Sequence, residues 1–266
     1  MPQEKKKMAY KFFLGGADAE MCCIAEVLAE AGVPFADAGL GWGAHASAYA
    51  LDIAVAAAGG FTPVLVELDN EFREATEWSL AKESVDLPQG TVVVDHHGSR
   101  SGEPASLLQV LALIGREPTR WDNLVAANDS GFIPAMLALG ATAEEIATIR
   151  AADRAAQGIT PAQESEAERA IASAEVGDRL SVVRLAHSKC ATVTDRLFGG
   201  YDQLLILSDD GEANFYGDGA VCAVLREKFG GWNGGSGLGQ EGGNAFWGGN
   251  PPHDEVEVFV KEYLAV

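Results

Sequence analysis

The sequence is short of positive charge and of cysteine, and nowhere does it run apolar for long. Its 266 residues carry 19 lysines and arginines against 39 aspartates and glutamates, a net charge of −20. A surface that negative repels polyanions within a Debye length, so long nucleic acid is not an expected partner. A small phosphorylated molecule is not excluded, because a bound divalent cation reverses the sign of the field around it. The four cysteines, Cys22, Cys23, Cys190 and Cys222, show neither the paired spacing of a zinc site nor the density of a disulfide framework. A reducing cytoplasm is the expected setting. The alanine-rich stretch Ala44 to Ala58 is broken by His45, Ser47 and Asp52, so it reads as a packed helix rather than a membrane span. Met1 to Lys7 is polar, with three lysines, and leads into a strand-like run instead of the apolar segment of a signal peptide.

What is present is ordinary for a globular protein: 47% hydrophobic and 22% charged residues, enough to bury a substantial core. The first half alternates β-rich runs with helical stretches, the pattern of an α/β fold with a mainly parallel sheet and helices on both faces. Predicted strands are Lys11 to Leu14, Pro34 to Ala38, Pro63 to Leu68 and Thr91 to Val94; predicted helices are Met21 to Ala31, Ala44 to Ala58, Pro104 to Leu113 and Asn123 to Leu139. Two more helices, Ala143 to Ala156 and Thr160 to Ala174, follow, the second opening with proline in its first turn. From Ser181 the spacing is that of β-hairpins: Ser181 to Leu185, Gln203 to Ser208 and Ala213 to Tyr216, with the turn Asp209-Asp210-Gly211. A helix, Ala220 to Phe229, precedes Gly230 to Gly249, in which ten residues are glycine, and Glu255 to Glu262 reads as a closing strand. The expected organisation is a domain over 9–156, a helical linker over 157–180 and a smaller α/β domain over 181–266.

The residues richest in chemistry are Asp95-His96-His97, directly after the apolar run Val92-Val93-Val94. That places three metal-competent side chains beyond the carboxyl end of a strand, where open α/β sheets put their ligand sites. Imidazole with carboxylate suits Mn²⁺, Fe²⁺, Co²⁺ or Zn²⁺ better than Mg²⁺ alone. Three further segments offer acids: Asp18 and Glu20 after Gly15-Gly16, Asp69 at the end of the run Pro63-Val64-Leu65-Val66-Glu67-Leu68-Asp69, and Asp129 in Ala126-Ala127-Asn128-Asp129-Ser130-Gly131-Phe132.

In order and spacing these segments resemble the four motifs of the DHH phosphoesterase superfamily, which includes RecJ-like exonucleases, nano-RNases, cyclic-dinucleotide phosphodiesterases, exopolyphosphatases and manganese pyrophosphatases. Asp18-Ala-Glu20 matches the first motif, Leu68-Asp69 the second, Asp95-His96-His97 the third and Asp129-Ser-Gly-Phe132 the fourth. Gly217-Asp218-Gly219, with the helix to Phe229-Gly230-Gly231, resembles the start of a DHHA1 domain. The chain differs in having Glu20 for the usual second aspartate, no histidine in its glycine run, and Asn214-Phe215-Tyr216 where an arginine is usual. Leu14 stands where pyrophosphatases carry a histidine.

The resemblance implies a hydrolase with two divalent cations, Mn²⁺ foremost with Mg²⁺ or Co²⁺ as alternatives, held among Asp18, Glu20, Asp69, His96 and Asp129. Asp95, His96 and His97 would form the catalytic core, His97 donating to phosphate and Asp95 orienting a histidine. Arg100, Gly231, Asn233, Gly234, Gly235, Ser236, Gln240 and Asn244 would contact substrate, with Trp232, Phe246 or Trp247 available to stack on a base. The expected substrate is a short oligonucleotide, a dinucleotide or a polyphosphate. The alternative is a nucleotide- or phosphate-binding protein that keeps the fold without turnover. His45, His187 and His253 read as structural or surface histidines, and the open edges leave room for a homodimer without demanding one.

Overall fold

The computed structural model describes residues 9–41, 43–70 and 84–265; the lysine-bearing start, Met1 to Lys7, lies outside them. The chain divides into two compact units, one ending at Gly158 and the other beginning at Ile159.

In the first unit four strands pair in parallel: β1 (Tyr10–Leu14), β2 (Phe35–Ala36), β3 (Thr62–Val66) and β4 (Val92–Val94), in the spatial order β2-β1-β3-β4. Its helices are α1 (Ala19–Glu30), α2 (Ala50–Ala58), α3 (Ser106–Ile114), α4 (Arg120–Ala138) and α5 (Ala143–Ala156). Because side chains alternate along a strand, Phe12, Leu14, Val64 and Val66 face a core built with α1, α3, α4 and α5. Phe13 and Leu65 face the opposite core, built with Tyr49 and α2. Covered on both faces, the strands are nearly continuous runs of apolar residues, as a buried parallel sheet requires. The parallel pairing also brings the carboxyl ends of β1, β3 and β4 to one edge, in the register Leu14↔Val66 and Val66↔Val94.

The second unit holds a six-stranded mixed sheet, with β5 (Glu175–Val176), β6 (Ser181–Leu185), β7 (Leu204–Ser208), β8 (Ala213–Asp218), β9 (Trp232–Gly234) and β10 (Asn244–Gly249) in the order β5-β6-β7-β8-β10-β9. Helix α6 (Pro161–Ala172), read from the sequence as part of a linker, buries Ala167 and Ala170 against Val183, Leu204 and Ile206, beside α7 (Ala191–Leu197). The other face packs Leu205, Phe215 and Trp247 against α8 (Gly219–Phe229) and α9 (His253–Leu264).

The expected closing strand is α9 instead. Val256, Val258 and Val260 alternate like a strand, but Val256, Val260 and Leu264 are buried at helical spacing while Val258 is half exposed. Strands β9 and β10 lie inside the glycine-rich run, where a scarcity of β-formers conceals them. No helix among the described residues is long and apolar enough to cross a membrane.

Candidate metal centre

Four parts of the first unit deliver acids or imidazoles to one place. Glu67, directly after β3, is a non-glycine residue at φ +50°, and its amide donates to the Val94 carbonyl at 2.9 Å. Opposite it lies Gly15, where a Cβ would come within 2.6 Å of the Glu67 carbonyl oxygen and 2.8 Å of that of Val66. Glycine at 15 therefore admits the turn that follows β3 and carries Glu67, and the left-handed backbone at 67 costs roughly 1–2 kcal/mol to hold.

Asp18 caps α1, its Oδ1 accepting from the Met21 amide at 2.8 Å. Glu20, in the first turn of the same helix, is almost completely buried. Its Oε1 accepts from the Leu107 amide at 2.9 Å, supplying the cap that α3 lacks at its own N-terminus. The second oxygen, Oε2, has no hydrogen-bond partner and lies 3.8 Å from His96 Nε2. The longer side chain of glutamate is thus used at both ends, one oxygen holding α3 and the other turned toward the histidine.

His96 is buried, with Nε2 2.6 Å from Asp129 Oδ2 and 3.9 Å from Glu67 Oε1. Despite that approach, His96 Nε2, Asp129 Oδ2, Glu67 Oε1 and Glu20 Oε2 are all buried without a well-directed hydrogen bond among the described residues. Buried polar atoms are rarely left so, and four converging ones fit a cation shared among them. Asp129 sits just before a break in α4, at Gly131 and Phe132, where Phe132 adopts φ +57°. Candidate ligand atoms of Glu67, His96, His97 and Asp129 all lie within 4.8 Å of one another, a group able to hold a metal ion. Imidazole with carboxylate oxygen is a borderline-to-hard donor set suited to Mn²⁺, Fe²⁺, Co²⁺ or Zn²⁺.

The electrostatics reflect four crowded acids. Burial, followed by the charges of Asp129 and Glu67, drives the Glu20 carboxyl far above its usual range. Burial first, then the charge of Glu67, lifts Asp129 to about 7. Asp18 rises to about 6, chiefly through burial, although its hydrogen bond from Met21 works the other way. Burial and the neighbouring His97 lower His96. Burial also opposes charge on His97, but the carboxylates of Glu67 and Asp129 and the hydrogen bond with Asp95 outweigh it and raise its pKa.

Asp95 turns to His97: Oδ1 accepts from the His97 amide at 2.9 Å and lies 3.0 Å from Nδ1. Above the cluster opens a cleft of about 830 Å³, lined among others by Asp18, Glu67, Asp69, Asp95, His97, Arg100 and Asp129. Asp69 therefore shares the cleft without belonging to the close four-residue group. Glu67, two residues earlier, takes that place, and the signal for it was its position immediately after the strand. Arg100 is held by Glu103 through two bonds of 2.8 and 2.9 Å.

The glycine-rich residues belong to the second unit. Many of its amides are already satisfied internally: Gly219 donates to Gly243, Gly239 to Gly219, Gly237 to Asn244 and Gly242 to Asp218 Oδ2. Asn233 and Gly234 lie on β9, paired with β10, Gly231 directly precedes that strand, and Asn233 accepts from Arg226 at 3.0 Å. Gly235, Ser236, Gln240 and Asn244 are exposed. Trp232 and Phe246 are partly exposed on one face of the sheet, whereas Trp247 is wholly buried and donates to the Gly230 carbonyl at 2.8 Å, so it packs rather than stacks.

Among solved structures the chain is similar to a pGpG-specific phosphodiesterase, PggH, from Vibrio cholerae, at 11% identity over 96% of this chain and 98% of that one, with a TM-score of 0.42. It is also similar to an uncharacterized protein from Helicobacter pylori G27, at 10% identity over 95% and 98% of the two chains, with a TM-score of 0.29. No protein-family profile and no curated protein matches the sequence.

Proposed function

We propose that the protein is a divalent-metal-dependent phosphoesterase of the DHH type acting on a small phosphorylated substrate. The observation that carries this is the convergence of Glu67, Asp129 and buried His96, with Glu20 Oε2 3.8 Å from His96 Nε2, at the carboxyl edge of a parallel sheet beneath an open cleft. Glu67, His96 and Asp129 would hold the metal, with Glu20 and Asp18, whose charges act on Asp129, completing one or two sites. Mn²⁺ is the cation proposed. A divalent cation there supplies Lewis acidity toward a phosphoryl oxygen and acidifies water.

The chain's own groups do the rest. Asp95 fixes the ring of His97 through Nδ1, which leaves Nε2 to donate, in the charged form its neighbours favour, to a phosphate oxygen at the cleft. Burial and the neighbouring His97 disfavour protonation of His96, and the neutral ring is the form that ligates. Arg100 would exchange its exposed pairing with Glu103 for a phosphate. In the second unit, exposed Ser236, Gln240 and Asn244, with Asn233 and the turns at Gly231, Gly234 and Gly235, would offer polar contacts to a phosphorylated ligand. A short oligonucleotide, a dinucleotide or a polyphosphate meets these requirements.

Incubation with Mn²⁺ and a panel of short oligonucleotides, linear and cyclic dinucleotides, polyphosphate and pyrophosphate tests the reading, with His96→Ala as control. Turnover of one class that vanishes in the variant is expected. Tight nucleotide binding with no turnover at any metal concentration would establish a binding protein instead.

A further inference from the structure

Beneath the acidic cluster lies a buried ionic group contributed by α5. Asp153 Oδ1 accepts from the Ala19 amide at 3.1 Å, at the start of the helix that carries Asp18 and Glu20. Its Oδ2 accepts from Arg150 Nη1 at 2.7 Å and from Gln157 Nε2 at 3.1 Å. The same Arg150 nitrogen donates to Asn128 Oδ1 at 2.9 Å, one residue before Asp129, and the guanidinium lies 4.6 Å from the ring centroid of Phe132. Arg150, Asp153 and Asn128 are all buried. Stability alone is a poor reason for such a pair, since burying two charges costs about as much as their attraction returns. Its geometry is better explained by what it joins. One end holds the first turn of α1, and the other grips both sides of the residue whose carboxylate approaches His96.

We infer that Arg150 and Asp153 are positioning residues, a clamp that fixes Asp18 and Glu20 relative to Asp129 so that acids from distant parts of the chain meet around one cation. Three features suit arginine to this role. The two hydrogens of one Nη1 serve Asp153 and Asn128 at once, the flat guanidinium lies on Phe132, and its charge offsets the acids while no cation is bound. Phe132 is held at φ +57°, and the guanidinium against its ring is one contact that keeps it there. This deepens the proposed function and rests on its metal centre.

The test is Mn²⁺ affinity, measured by calorimetry, and the electron paramagnetic resonance signal of the bound ion, each set against the melting temperature of the metal-free protein. The variants are Arg150→Lys, which keeps the charge but not the flat guanidinium against Phe132, and Arg150→Met with Asp153→Leu, which replaces the pair by apolar groups of similar size. The expected result is a melting temperature close to wild type, a loss in affinity of about tenfold for the lysine variant, and up to about a hundredfold for the double variant, with a broadened signal. Affinity within twofold of wild type in a folded variant would overturn the clamp while leaving the metal centre standing. So would a loss that only follows a fall in melting temperature. If the double variant does not fold, Arg150→Lys decides on the same criterion. A wild-type protein that takes up no Mn²⁺ would remove both the metal centre and the clamp.

Discussion

Glu67 is the residue on which motif and geometry part company. The family pattern points to Asp69, whereas the close group of ligand atoms contains Glu67. Glu67→Gln is therefore expected to lower Mn²⁺ affinity by at least about tenfold, and Asp69→Asn by less, as read by calorimetry on the two variants. The raised acids give a pH dependence whose sign can be worked out. Asp18 and Asp129, ordinarily near 3.8, titrate at about 6 and about 7 in the metal-free fold. Their penalty on folding is absent below 3.8, grows as the unfolded chain ionises, and is complete above about 7. A bound cation removes that penalty, and its binding releases protons. The rise in melting temperature on adding Mn²⁺ should thus be larger at pH 8 than at pH 5; an equal rise at both would mean these carboxylates do not meet the metal. Asp95, His96, His97 and Asp129 were legible in the sequence because each stands in a short motif. Glu67, Arg150 and Asp153 were not, since their roles come from a backbone turn and from contacts between helices remote in sequence.

Elements were legible where periodicity and burial agree. Strands β1, β3 and β4 show the apolar runs that their burial demands, and α1 opens on a capping aspartate. The end of the chain was not, because valine at alternate positions reads as a strand until the buried set is known to be Val256, Val260 and Leu264. Val256→Ala should therefore cost about 1–3 kcal/mol and Val258→Ala less than about 0.5 kcal/mol by chemical denaturation. Similar losses at both positions would contradict the helix. In the first unit, Gly15→Ala drives a methyl group into the Glu67 carbonyl. It should destabilise by roughly 1–3 kcal/mol and weaken Mn²⁺ binding at the same time, a coupling that an ordinary core substitution would not show.

At the scale of the molecule, the α/β class and the helix-covered parallel sheet followed from alternation alone, while the packing of α6 in the second unit did not, because its polar sequence resembles a spacer. The close group of ligand atoms lies wholly in the first unit. The net charge of −20 opposes the approach of an anionic substrate. Raising salt from about 0.01 to about 0.1 M, which shortens the Debye length from about 30 to about 10 Å, should accordingly increase kcat/KM for the substrate found; a steep decrease would mean that local cationic attraction governs encounter.

The glycine-rich run has a consequence for how this protein tolerates change. Around Gly219, Gly237 and Gly243 two lengths of backbone touch so closely that a methyl group at any of the three would meet main-chain atoms. A stretch with the composition of a flexible spacer is therefore one of the least substitutable parts of the chain. In a library covering every single substitution, those three positions should be depleted as severely as Phe215 or Trp247 in the core, while exposed Ser236 and Gln240, only a step away, accept most replacements without loss of fold.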